Sequence, residues 1–139
     1  MAYSHATLID AGPALLATRA ATAGRIVERL LSAYANGDNL ATITGNTIAG
    51  PLTLAAGDFT IAAGGSNSRV LTIAGKTHTL TAGVTSPAAP VPYRAIVDTV
   101  TSEVLFVGQA ASVGGDAPPW AIGGQVAVGA ITLTFSQPA

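Results

Sequence analysis

Few side chains in this sequence could do acid–base, nucleophilic or metal chemistry. There are two histidines, His5 and His78, seven carboxylates and no cysteine. The two histidines are far apart, and no Asp or Glu lies within three residues of His78. A metal site needs three or four ligands, so His78 reads as a surface or turn histidine. Without cysteine there is neither a disulfide nor a thiol nucleophile. Asp98 and Glu103 are close in sequence, but they fall at opposite ends of a polar hairpin tip. Any paired general acid and base would have to be assembled by the fold. No Gly-x-Ser-x-Gly elbow is present. Gly75-Lys76-Thr77 has the look of a P-loop ending, yet Val70 stands where that motif needs its first Gly. Thr77-His-Thr-Leu-Thr then continues a strand pattern, with no helix N-terminus to hold phosphate. A hairpin turn is expected there. Trp120 follows Pro118-Pro119, and either anchors an interface or plugs a sheet edge. The reading assigns no catalytic residue, cofactor or metal.

The elements that would position these residues fall into two grammars. Residues 1–12 read as an extended arm, and Pro13 suits a helix first turn. From there to Ala35 the spacing predicts a helix: Leu16, Ala20, Ala23, Val27, Leu30 and Tyr34 step by four and three into one apolar seam. Arg19, Arg25, Glu28 and Arg29 lie off the seam, and Asn36-Gly37 is a stop signal. The seam packs either on the chain's own β domain or on a neighbour. Leu16, Val27, Leu30 and Tyr34, with Trp120, are the candidate interface residues.

After Asn39 the pattern changes to apolar residues alternating with Thr: Thr42-Ile-Thr, Leu52-Thr-Leu, Phe59-Thr-Ile, Leu71-Thr-Ile and Leu80-Thr. Most of these segments end in Ala-Gly. β-branched residues at period two, with Gly turns at short intervals, predict short half-buried strands. Thr85–Pro92 is a stiff connector. Tyr93–Asp98 and Val104–Val107 form a hairpin, and residues 114–119 form a loop. Gln125–Val128 and Ala130–Phe135 are a final strand or strand pair completing a sheet. The expected fold is mainly β, a small antiparallel β-sandwich or barrel with an N-terminal arm and one amphipathic helix. The division falls between residues 1–38 (arm and helix) and 39–139 (β domain).

Charge supplies the main functional clue. Only 9% of the 139 residues are charged, where ordinary domains carry about a quarter. Six Lys plus Arg against seven Asp plus Glu give a net charge of -1. That balance argues against charge-driven disorder and against a partner held through phosphates. No stretch approaches the ~20 apolar residues of a membrane span, and the start has no basic leader region. Hydrophobic residues make up 49% but aromatics only 5%, too sparse and scattered for a sugar-binding platform. A surface with so few ionic groups is safer when covered by copies of itself or by a partner. The expectation is a permanent assembly.

The run Arg94–Gly108, then Gln109-Ala-Ala, a Pro-containing loop and Ile122-Gly-Gly-Gln-Val-Ala-Val-Gly-Ala-Ile-Thr-Leu, resembles a β module of tailed-bacteriophage virion proteins. The resemblance covers roughly residues 50–135. It departs at Ser102, where Gly is common, and at Ala95, where an apolar-Asp pair is frequent. Such modules occur in head decoration (cement or minor capsid) proteins and in tail-fibre or baseplate adaptors. The arm, the helix and the short chain favour the head. The resemblance implies a homotrimer on the capsid surface that bridges major capsid proteins. It would be made in the bacterial host cytoplasm, with no nucleic acid, membrane or cofactor involved.

Overall fold

The computed structural model describes residues 6–65, 68–83, 92–110, 113–115 and 119–136. In chain order the elements are α1 (Ala6–Ala20), β1 (Ile26–Leu31), α2 (Leu40–Gly45), β2 (Thr47–Thr53), a 3-10 turn (Ala56–Asp58), β3 (Phe59–Ala63), β4 (Ser68–Ile73), β5 (Lys76–Thr79), β6 (Tyr93–Asp98), β7 (Glu103–Gln109), β8 (Val113–Gly115), β9 (Gln125–Val128) and β10 (Ile131–Ser136). Sheet I runs β2-β1-β6-β7, sheet II β10-β4-β3 and sheet III β5-β9-β8. Every pairing is antiparallel. The mainly β expectation holds in its sandwich form, and none of the three sheets closes into a barrel.

One face of sheet I carries the core. Ile26 and Ile96 of sheet I meet Phe59, Leu71 and Ile73 of sheet II, with Leu16 and Ala20 of α1 filling in beside them. Further along the same face, Leu30 meets Val126 and Val128 of sheet III, together with Leu80 and Trp120. Sheets II and III therefore form one layer over sheet I. Truncating a fully buried leucine such as Leu71 to Ala would cost about 2–5 kcal/mol.

Sheets II and III are two halves of one bent ribbon. Strands β4 and β10 pair from Ser68↔Ser136 to Ile73↔Ile131, and β5 and β9 pair from Lys76↔Val128 to Thr79↔Gln125. The register is the same on both sides of the break at Ala74-Gly75 and Gly129-Ala130. The corner turns the ribbon over. Leu71, Ile73 and Ile131 are buried before it, and His78, Val126 and Val128 after it, so the inward positions change from odd to even. Gly75 allows the close approach, since a Cβ there would lie 2.6 Å from the Val128 carbonyl oxygen. Gly75 thus marks a bend between β4 and β5, where the sequence predicted a hairpin turn; the two strands do not pair with each other.

The N-terminal third departs furthest from the sequence reading. Residues 6–12, expected as arm, are helical, and Pro13 lies inside α1 with its ring buried. The helix ends at Ala20, well before the predicted stop at Asn36-Gly37. Ile26–Leu31 is instead the strand between β2 and β6. Sheet I is thus built from both sides of the division expected at residues 38 and 39. The Val27 and Leu30 spacing mimics a helical seam because β1 is buried on both faces. Such strands lose the alternation that usually betrays them. Thr42-Ile-Thr, expected as strand, lies in α2. The Asn39 side chain accepts the Thr42 backbone N–H at 3.0 Å and caps that helix. Ile43 then packs on the outer face of sheet I. The expected connector lies mostly outside the described residues.

Candidate functional site

Three ionisable residues from three different strands converge in the core. Glu28 sits in β1, Arg94 in β6 and His78 in β5; the first two are wholly buried and His78 is 2% exposed. Register places Glu28 opposite Ile96 and Leu30 opposite Arg94, so the two charges stand on the same face of adjacent strands. The guanidinium grips the carboxylate with both edges: Nε donates to Glu28 Oε1 at 2.9 Å and Nη2 to Oε2 at 2.7 Å. His78 Nε2 lies 2.9 Å from the same Oε1. Burial alone would raise the Glu28 pKa. The hydrogen bonds with His78 and Arg94 outweigh it and hold the carboxyl below its ordinary value.

Arg94 reaches further. Nη1 donates to the Gly129 carbonyl at 2.7 Å and Nη2 to the Ala74 carbonyl at 2.8 Å. Both acceptors lie at the ribbon corner, where the strand ladder is interrupted and a carbonyl needs another partner. One side chain therefore joins sheet I to the bend between sheets II and III, and His78 ties sheet III to the same carboxylate. The arrangement is a clasp across all three sheets.

A pocket of about 260 Å³ opens beside it, lined by Gly50, Pro51, Leu52, Thr77, His78, Thr79 and Thr81. It lies between β2 and β5, beside the isolated bridge of Ala49 with Leu80 just beyond β5. Gly50 permits the bulge: its φ is +101°, and a Cβ there would lie 2.6 Å from the Glu28 carbonyl oxygen. A histidine oriented by a carboxylate matches half of a nucleophile-activating arrangement. The nucleophile half is absent among the described residues, because no hydroxyl or amine is hydrogen-bonded to His78. Glu28, locked by Arg94, is built to hold position.

A second charged cluster fastens α1 to the β6–β7 hairpin. Asp98, with no exposed side-chain surface, accepts from Arg25 Nε at 3.0 Å and from Arg19 Nη1 at 3.0 Å. It also accepts the Val100 backbone N–H at 2.9 Å. The Arg25 hydrogen bond, helped by the turn amides, lowers its pKa to about 2. Arg19 also reaches Glu103 at 3.2 Å. The Asp98–Glu103 neighbourhood noted in the sequence is thus real, and arginine fills it. Asp58 pairs with Lys76 at 2.6 Å.

The five interface candidates do not gather on one surface. Leu16, Leu30 and Trp120 are inside the chain's own core. Val27 is 5% exposed on the outer face of sheet I. Tyr34 packs on Tyr93 with ring centroids 5.8 Å apart. Within this chain Leu16, Leu30 and Trp120 thus take the alternative in which they pack on the chain's own β domain. His78, expected at the surface, is buried because Lys76-Thr-His-Thr puts it on the inward side of β5. The sequence carried only a partial signal for the clasp: His78 lies between two threonines and Arg94 precedes the apolar run Ala95–Val97, whereas Glu28 is followed by a second charge, Arg29.

Among the described residues no group of His, Asp or Glu is placed to hold a metal ion, and no helix is long and apolar enough to cross a membrane. Compared with known proteins, the chain matches no family model, no curated protein and no solved structure.

Proposed function

We propose that this chain is a non-enzymatic virion structural protein, a trimeric capsid decoration (cement or minor capsid) protein that bridges major capsid subunits. The observation that carries this reading is where the charges go. Glu28 and Arg94 are sealed in the core, Asp98 is buried under Arg19 and Arg25, and Lys76 is paired with Asp58. A chain already poor in charge thus turns much of it inward, against itself. What faces outward is largely Thr, Ala and Gly, with Leu15, Ile61, Val100 and Ile122 exposed among them. Such a surface suits burial against neighbouring chains more than solitary hydration. The sequence resemblance to tailed-phage modules supplies the virion context. The buried histidine and carboxylates serve the fold, in keeping with a protein whose work is mechanical.

Light scattering of the purified chain, followed by co-sedimentation with undecorated heads, tests the proposal. The expected results are a mass three times that of the chain and saturable binding at many copies per head. A tail-fibre or baseplate adaptor would give few copies, located at the tail. A monomer with no affinity for any particle would overturn the proposal.

A further inference from the structure

Asn36-Gly37 reads in the sequence as a helix stop, yet no helix ends there: β1 ends at Leu31 and α2 begins at Leu40. The two residues are instead the exposed middle of a turn. The ends of that turn fasten each other. The Asp38 backbone N–H donates to the Ala35 carbonyl at 3.0 Å, and the Ala35 backbone N–H donates to Asp38 Oδ2 at 2.8 Å. Between them Gly37 holds a φ of +94°, a conformation that glycine adopts without strain. Neither the Asn36 side chain nor the Gly37 N–H has a hydrogen-bond partner among the described residues. A side-chain amide and the backbone nitrogen that follows it are thus both unengaged and both exposed, with no Cβ on residue 37 to crowd that nitrogen.

The other described asparagines differ on each count. Asn39 Oδ1 accepts the Thr42 backbone N–H at 3.0 Å as the cap of α2, and Leu40 follows it. Asn46 Nδ2 donates to the Ala33 carbonyl at 3.2 Å, and β-branched Thr47 of β2 follows it. We propose that Asn36 is a site of spontaneous covalent modification, at which the Gly37 backbone nitrogen displaces ammonia from the Asn36 side chain and water opens the resulting ring to aspartate or isoaspartate. The Gly37 N–H loses its proton to base, and the nitrogen attacks Asn36 Cγ. The Cγ–Nδ2 bond breaks and Nδ2 leaves as ammonia. Water then cleaves one of the two carbon–nitrogen bonds that the ring shares with Gly37. Cleavage at Cγ gives aspartate. Cleavage at the Asn36 main-chain carbonyl gives isoaspartate, with one more methylene in the main chain. Either product adds a negative charge to a chain whose formal net charge is only -1, two positions from the Asp38 carboxylate that fastens the turn. The reaction needs only water and base, so it proceeds in the isolated chain whatever that chain attaches to.

The test incubates the purified, folded full chain in mildly alkaline and in mildly acidic buffer and follows it by ion exchange and fragmentation mass spectrometry. The expected result is a more acidic species with a mass gain of about one dalton, located at Asn36. It forms faster in the alkaline buffer, contains both aspartate and isoaspartate, and precedes any change at Asn39, Asn46 or Asn67. Asn36→Gln, at an exposed position, keeps the thermal midpoint and loses the gain, because its longer side chain no longer closes a five-membered ring. In Gly37→Ala a Cβ meets nothing within 4 Å. The gain is nonetheless slowed about tenfold or more, since Ala resists backbone angles that glycine adopts freely. No gain at Asn36 in the folded chain overturns the inference, as does a gain that comes first at another asparagine. Aspartate without isoaspartate, or an equal rate in Gly37→Ala, overturns it too, since either excludes attack by the Gly37 nitrogen.

Discussion

Arg94 matters most at the residue scale because it answers two needs at once: the Glu28 charge and the corner carbonyls of Ala74 and Gly129. Arg94→Met leaves Glu28 buried without its cation, and the loss should be about 3–5 kcal/mol, read from urea unfolding. Adding Glu28→Leu should recover only part of that loss, since the two carbonyls remain unpaired. Acid should act through the same kind of group. Glu28 and Asp98 both titrate below their ordinary values of 4.5 and 3.8 when folded. The unfolded chain therefore takes up protons first as pH falls. Their stabilisation is complete above the ordinary values and is lost on acidification, for Asp98 on the way down to about 2. The thermal midpoint should decline through this window, and Asp98→Asn should lower it at neutral pH while flattening the acid decline. That Glu28 and Arg94 each adjoin apolar residues was legible in the sequence. Their pairing was not, because Glu28 and Arg94 are joined only by strand register across 66 positions.

Local pattern succeeded where one face of an element meets water and failed where neither does. Leu71-Thr-Ile and Phe59-Thr-Ile alternate because sheet II has an inner and an outer side, and both are strands. Ile26–Leu31 is covered on both sides, so its apolar residues fall at spacings that also fit a helix. The corner at Ala74-Gly75 was marked by Gly, but a change of inward parity is visible only once the partner strand is known. Two substitutions separate the roles of glycine at this scale. Gly75→Ala drives a Cβ against the β9 backbone and should cost about 1–3 kcal/mol. Gly57→Ala meets nothing within 4 Å and should be neutral or stabilising by up to about 1 kcal/mol. Thermal unfolding of the two variants side by side checks the contrast. The hairpin tip offers the converse test. Ser102 holds a φ of +57°, where L-residues are strained, so Ser102→Gly should raise stability by up to about 1 kcal/mol.

At the scale of the whole molecule, the ion pairs that remain are internal fasteners. Arg19, Arg25 and Asp98 hold α1 to a hairpin, Lys76 holds the 3-10 turn, and Glu28 and Arg94 hold three sheets. A partner approaching from outside meets Thr-rich faces and scattered Val, Ile and Leu. Attachment should accordingly be driven by apolar burial. Raising salt from about 0.1 M to about 1 M shortens the screening length from about 10 Å to about 3 Å, which removes most attraction between exposed charges. Binding of the purified chain to undecorated heads should weaken by less than about threefold over that range. Sodium sulfate should tighten it, because excluded salts strengthen apolar burial. Co-sedimentation isotherms at the two salt concentrations decide the matter. A steep, log-linear loss of affinity would mean that several surface charges carry the contact, and the inward disposition of charge would then have no bearing on how the chain attaches.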